Sequence, residues 1–170
     1  MREAAFLETV LQDAAALVRS KYAVRGDLRV TSKAEVNDLL TEADLATQQL
    51  LVDAIRDAFP GDWIVGEEDG FTRFPDDPDA RAWVLDPIDG TRAFITNCFL
   101  FGTLLALERD DGQGWYPVLG AIAHPAAGVA LIGHNEETRL FAQDGSARVV
   151  RVRECARLED ATVLASSHWS

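Results

Sequence analysis

Apolar positions recur at helical spacing near the start of the chain: Phe6, Val10, Leu11, Ala14, Leu17 and Val18, with charged residues between them. The spacing predicts an amphipathic helix over residues 2–22, ended by Gly26. Residues 28–31 read as a short strand and residues 32–40 as a polar loop. A second helical stripe follows at Leu45, Leu50, Leu51, Ala54, Ile55 and Ala58, closed by Pro60-Gly61. Thr41 is its predicted N-cap. Asp44, three residues on, completes a capping-box pattern with Asp in place of Glu. From there the pattern changes to short apolar runs. Residues 62–66 and 82–85 read as strands, joined through a polar, Pro-rich loop at 71–80. Further runs at 100–108, 116–124, 129–133, 139–142 and 148–152 are separated by Gly, Asp and Asn turns, and residues 158–161 bridge to a last run at 162–166. This succession predicts a meander, hence an antiparallel sheet. Two helices ahead of such a sheet make the fold class α+β, with the N-terminal helices packed on a mainly antiparallel sheet.

The polar residues at the strand ends carry the chemistry. The run 82–85 finishes in Asp86. Pro87 lacks the N–H that a sheet ladder needs, and Asp89-Gly90 is a turn signal. Thr91 then opens a segment, residues 92–95, long enough for one helical turn. Carboxylates at a strand mouth suit a hard cation such as Mg²⁺. Backbone N–H groups at a helix start suit a phosphate. An acidic turn that merely caps a strand is the alternative for this stretch alone. The preceding strand, however, also ends in acids, Gly66-Glu67-Glu68-Asp69. Two neighbouring strands finishing in carboxylates at one edge make a cluster of like charge. Without cations at least one of its pKa values must rise. Asp44 has an independent structural explanation, because an acid in the first turn favours the helix dipole.

Composition narrows the classes. A chain of 170 residues with 48% hydrophobic content supports one domain with its own core. The net charge of −12 argues against nucleic-acid partners and anionic membranes, and no apolar run reaches the length of a membrane span. The first residues lack an apolar signal core, and two cysteines without metal spacing suit reduced thiols in a cytoplasmic protein. His124, His134 and His168 have no ligand spacing and read as strand-end or surface residues. Cys98 reads as a buried or half-buried small residue. Asp76, Asp77 and Asp79 do not make an EF-hand, because Ala82 and Ile88 fall where Gly and Glu are required. There is no Gly-x-Ser-x-Gly elbow. Asp86 and Asp89 are separated by two residues rather than one, so the aspartyl-nucleophile pattern of the haloacid dehalogenases is not met either. Water activated by bound cations is the remaining phosphatase chemistry.

Gly66-Glu67-Glu68 followed by Asp86-Pro87-Ile88-Asp89-Gly90-Thr91 resembles the two signatures of the inositol monophosphatase family of Mg²⁺-dependent, lithium-sensitive phosphatases. Asp38-Leu39-Leu40-Thr41-Glu42-Ala43-Asp44 is similar to a third family stretch, although Val36 and Asn37 stand where Pro is common. The resemblance implies that Glu67, Asp86 and the Ile88 carbonyl bind one Mg²⁺, and that Asp86 and Asp89 bind a second. It implies that Thr91, oriented by Asp44, activates water. Substrate phosphate would lie against Ile88, Asp89 and the backbone of Gly90 and Thr91, with Glu68 behind the ligands. The segments 89–95, 101–107 and 117–120 are most similar to the histidinol-phosphate phosphatase branch. Inositol-1-monophosphatase activity is the alternative, and a metal-binding module without turnover is a second one. The family completes its second metal site with an Asp of a Trp-Asp motif in a C-terminal domain, and Trp169-Ser170 does not match that motif. The chain therefore corresponds to the family's N-terminal domain, with weak activity expected of it alone. A small phosphorylated substrate and a homodimer of the full-length protein are also implied.

Overall fold

Helix α1 (Arg2–Ala23) comes first, followed by a single 3-10 turn at Arg25–Asp27. The computed structural model describes residues 2–32, 39–68, 80–134 and 137–162. Strands β1 (Val30–Ser32) and β2 (Leu39–Thr41) pair as a small antiparallel hairpin where a strand and a loop were expected. Helix α2 (Glu42–Ala58) follows directly. The main sheet contains β3 (Trp63–Gly66), β4 (Arg81–Asp89), β5 (Gly102–Asp110), β6 (Trp115–His124), β7 (Val129–His134), β8 (Glu137–Ala142) and β9 (Ala147–Val150), in that spatial order. A short helix α3 (Thr91–Ile95) leaves the end of β4. From β4 to β9 every pairing is antiparallel, the meander that the turn spacing predicts. Among the described residues only β3 and β4 pair in parallel.

Helices α1 and α2 cover one face of this sheet. Leu7, Leu11 and Ala14 of α1 and Leu51 and Ile55 of α2 pack on Trp83, Leu85, Leu105, Leu107, Leu119 and Ala121. Burial of such side chains contributes about 1.5–3 kcal/mol each relative to exposure, so this layer holds the fold together. Leu7 is a central residue of α1, while Phe6 is half-buried and stacks edge-on against Phe59 and Trp83. The opposite sheet face carries an open concavity of about 760 Å³, whose lining includes Val84, Leu104, Ala106, Ile122 and Leu131, with Glu67 and Asp86 also on its wall.

Two expectations about elements are corrected. Pro87 does not end β4, which runs on to Asp89. The ladder to β5 shifts register between Asp86 and Asp89, and a bulge is where proline is tolerated in a sheet. The Thr103 hydroxyl donates to the Pro87 carbonyl at 2.9 Å and secures the irregularity. Leu51 and Ile55 are buried as expected, and Leu50, Ala54 and Ala58 pack part-buried beside them, but the buried stripe of α2 is shifted. It consists of Ala43, Asp44, Thr47, Gln48, Leu51, Val52 and Ile55, whereas Leu45 is 50% exposed. The capping box fixes the start of the helix, with Thr41 N–H donating to Asp44 Oδ2 at 2.8 Å, and both residues are buried.

Candidate active site

Parallel pairing of β3 with β4 sets Gly66 opposite Leu85, and the Glu67 N–H donates to the Leu85 carbonyl at 3.0 Å. The next residue on each strand is an acid, so Glu67 and Asp86 lie side by side, as the sequence pattern implies. Burial pushes the Asp86 carboxyl up, and the Glu67 charge, a hydrogen bond with Glu67 and the charges of Asp89 and Asp44 push it further, to about 8. Asp86 Oδ1 is buried and has no hydrogen-bond partner among the described residues. Asp89 is exposed at the strand end, and Ile88 is buried with its carbonyl turned to Thr91.

The turn after β4 is built for close approach. Gly90 has φ +86, and a Cβ there would lie 2.8 Å from the Leu100 carbonyl oxygen. Only glycine meets both conditions. Helix α3 begins at Thr91, and beneath it Ile88, Phe94 and Phe101 pack with Val18 and Ala43 in a second apolar cluster. The helix closes on Asn97, at φ +63, with the Cys98 N–H donating to the Ala93 carbonyl at 2.9 Å, the 6→1 bond of a Schellman cap. The chain then turns outward, and Cys98 is exposed rather than buried or half-buried as expected.

Asp44 joins this turn to α2. It is fully buried, and its Oδ2 accepts from Thr41 N–H at 2.8 Å and Thr41 Oγ1 at 2.5 Å. Its Oδ1 faces Thr91 Oγ1 at 3.2 Å, and the same hydroxyl lies 3.1 Å from the Ile88 carbonyl oxygen. Burial raises the Asp44 pKa, against the hydrogen bonds from Thr41 and Thr91 that favour the ionised form. Capping alone therefore does not account for Asp44, because its second oxygen serves a residue 47 positions away.

Glu68 is half-buried, and its N–H donates to Gln48 Oε1 at 3.1 Å. Gln48 and Thr103 are the positions that sequence reasoning passed over. The signal for Gln48 was its spacing, four residues after Asp44 on the same helical face. His124 and His134 end β6 and β7 as expected. Asp38, Asp69, Asp76, Asp77, Asp79, His168, Trp169 and Ser170 lie outside the described residues.

Among the described residues no three His, Cys, Asp or Glu side chains gather closely enough to form a cation cage by themselves. The Glu67–Asp86 pair with Asp89 nearby nevertheless fits Mg²⁺. The donors are hard oxygens, one of them is buried without a partner, and this ion binds through one or two carboxylates while keeping waters.

Among curated proteins, the chain is 33% identical over 135 residues to the histidinol-phosphatase of Chlorobaculum parvum, covering 76% of this chain and 51% of that protein. It is 32% identical over 166 residues to the inositol-1-monophosphatase of Mycobacterium leprae, covering 90% of this chain and 54% of that protein. Among solved structures, an IMPase of Thermotoga maritima superimposes with a TM-score of 0.68 at 30% identity, covering 94% of this chain and 57% of that one. The chain thus spans about half the length of the relatives it matches. No helix among the described residues is long and apolar enough to cross a membrane. The model of the inositol monophosphatase family matches residues 2–170, and the chain belongs to that family.

Proposed function

We propose that the protein is a Mg²⁺-dependent phosphomonoesterase acting on a small phosphorylated alcohol, with histidinol phosphate as the substrate. The observation that carries this reading is the Glu67–Asp86 contact at two parallel strand ends, where burial and then like charge raise the Asp86 pKa to about 8. Glu67, Asp86, the Ile88 carbonyl and Asp89 would hold Mg²⁺, which when bound neutralises phosphate charge and makes a water molecule more acidic. The Thr91 hydroxyl has its proton directed at Asp44 Oδ1 or the Ile88 carbonyl, so its lone pairs are left to accept a proton from water. As the water oxygen bonds to phosphorus and the phosphorus–oxygen bond to the alcohol breaks, Thr91 Oγ1 takes the water's proton and passes its own to Asp44, while the departing alkoxide takes a proton from solvent. Burial of Asp44 favours the arrival of a proton there. The Gly90 and Thr91 backbone would position the phosphate beside Ile88 and Asp89.

The family's active site extends beyond the length matched here. We therefore propose that residues 2–162 supply the metal-binding half of such a site. The apolar second face of the sheet is where the other half of a full-length relative would pack.

Histidinol phosphate is favoured by the likeness of residues 89–95, 101–107 and 117–120 to that branch. The nearly equal identity to an inositol-1-monophosphatase keeps inositol 1-phosphate as the second reading. Phosphate release with excess Mg²⁺ tests both. A higher kcat/KM for histidinol phosphate is expected, and the reverse order transfers the protein to the inositol reading. Thr91→Ala should lower kcat by about a hundredfold while leaving KM within a few-fold. An unchanged kcat would remove Thr91 from the proton path.

A further inference from the structure

Gly66 is the one residue of Gly66-Glu67-Glu68 that has no chemistry of its own, and the structure supplies a reason for it. A Cβ on Gly66 would lie 2.6 Å from Gln48 Oε1 and 2.7 Å from Gln48 Cδ. No left-handed backbone angle calls for glycine at this position, so close approach is the reason. Gln48 is only 6% exposed and sits on the buried face of α2, one turn before Leu51 and Val52. A buried amide without a hydrogen bond costs stability. Here its oxygen accepts from the Glu68 N–H at 3.1 Å.

The consequence falls on Glu67. Its own N–H is tied to Leu85 of β4, and the next N–H along the chain is tied to Gln48 of α2. The backbone that carries the Glu67 carboxylate is held on both sides. One face of α2 serves both strand ends, Asp44 reaching the turn after β4 and Gln48 reaching the turn after β3.

We propose that Gln48 is a positioning residue. Its amide fills the space that Gly66 leaves open and, by holding the Glu68 N–H, sets the Glu67 carboxylate against Asp86. This rests on the reading that Glu67 and Asp86 hold a divalent cation. A residue that only packs the core would change the melting temperature and leave cation affinity alone. A residue that orients a ligand changes affinity, typically by ten- to a hundredfold.

The test is calorimetric titration of Mg²⁺ alone into this chain, with thermal melts in chelator run alongside. Gln48→Ala should weaken Mg²⁺ about tenfold. Gly66→Ala should weaken it to a similar extent, because the added methyl displaces the flexible end of Gln48. Gln48→Met, which keeps the buried volume and removes the amide oxygen, carries the test if Gln48→Ala or Gly66→Ala does not fold, and should weaken Mg²⁺ to a similar extent. The double variant should bind no more weakly than the weaker single one, because both act through one contact. Affinity unchanged in the folded single variants, whatever their melting temperatures, overturns the proposal. So do effects that simply add in the double variant. A wild-type chain that takes up no Mg²⁺ overturns the underlying metal reading instead, and that result is visible before any variant is compared.

Discussion

At the start of β4, Arg81 lies between two carboxylates, donating to Asp62 at 2.9 and 2.7 Å and to Glu3 at 2.7 Å. Asp62 also accepts from the Trp83 indole N–H at 2.9 Å, and the Arg81 guanidinium stands over the Phe59 ring. At the far end of the same strand, the charges acting most strongly on Asp86 are those of Glu67, Asp89 and Asp44, all negative. The first cluster is complete within the protein: backbone and Arg81 hydrogen bonds hold Glu3 below the usual carboxylate range, and Arg81 is pushed up. In the second cluster Asp86 Oδ1 is buried with no hydrogen-bond partner among the described residues. Each contains acids near an apolar core, so acidity alone does not mark a functional site. The mark here is that strand pairing gathers acids, and the strongest charged influences at Asp86 are all negative.

The largest expected effect breaks the balanced end. Arg81→Met leaves Glu3 and Asp62 side by side without their cation and should cost about 3 kcal/mol in chemical denaturation. Mg²⁺ affinity should not change. A loss below about 0.5 kcal/mol would mean that the two ends do not differ as described.

The next prediction tests the unbalanced end. The Asp86 pKa is raised above its unfolded value of 3.8, so its contribution has the opposite sign to that of a paired carboxylate. Below about pH 4 both states are protonated and nothing is lost. As pH rises towards 8 the unfolded chain releases its proton first, and stability falls. In chelator, melts should therefore weaken from pH 4 to 8. Asp86→Asn should flatten that trend and weaken Mg²⁺ binding at least tenfold. A wild-type profile that rises over this window from Asp86 would contradict the assigned repulsion.

The smallest effect sharpens the contrast. The Glu3 pKa is lowered from 4.5, so its contribution is present above that value and is lost as pH falls through the folded-state pKa. Glu3→Gln should cost about 1 kcal/mol at pH 7 and less at pH 3, with Mg²⁺ affinity unchanged. Equal losses at both pH values would assign Glu3 to packing rather than charge.

Much of this was legible from local pattern. The period of Val10, Leu11, Ala14 and Val18 located α1, Thr41 and Asp44 announced the start of α2, and the turns after residue 109 spelled out a meander. The two acidic strand ends were legible because each is a contiguous word in the chain. What escaped depended on partners far away in sequence. Leu45 suits a helical stripe as well as Thr47 and Gln48 do, until Asp44 is drawn inward by Thr91. Pro87 reads as a strand end until Thr103 caps its carbonyl from the neighbouring strand.

The sequence by itself determined the elements, their order and the acids available at the ends of β3 and β4, because helix periodicity, capping and turn chemistry act over a few residues. Tertiary structure alone decided which acids meet a cation and which meet other acids. Asp62 and Glu67 are alike in a linear reading. Parallel pairing of β3 with β4 brings Arg81 to the first and Asp86 to the second, and packing of α1 adds Glu3 beside Arg81. Charge energies depend on distance and burial, and both are settled only when the chain has closed on itself.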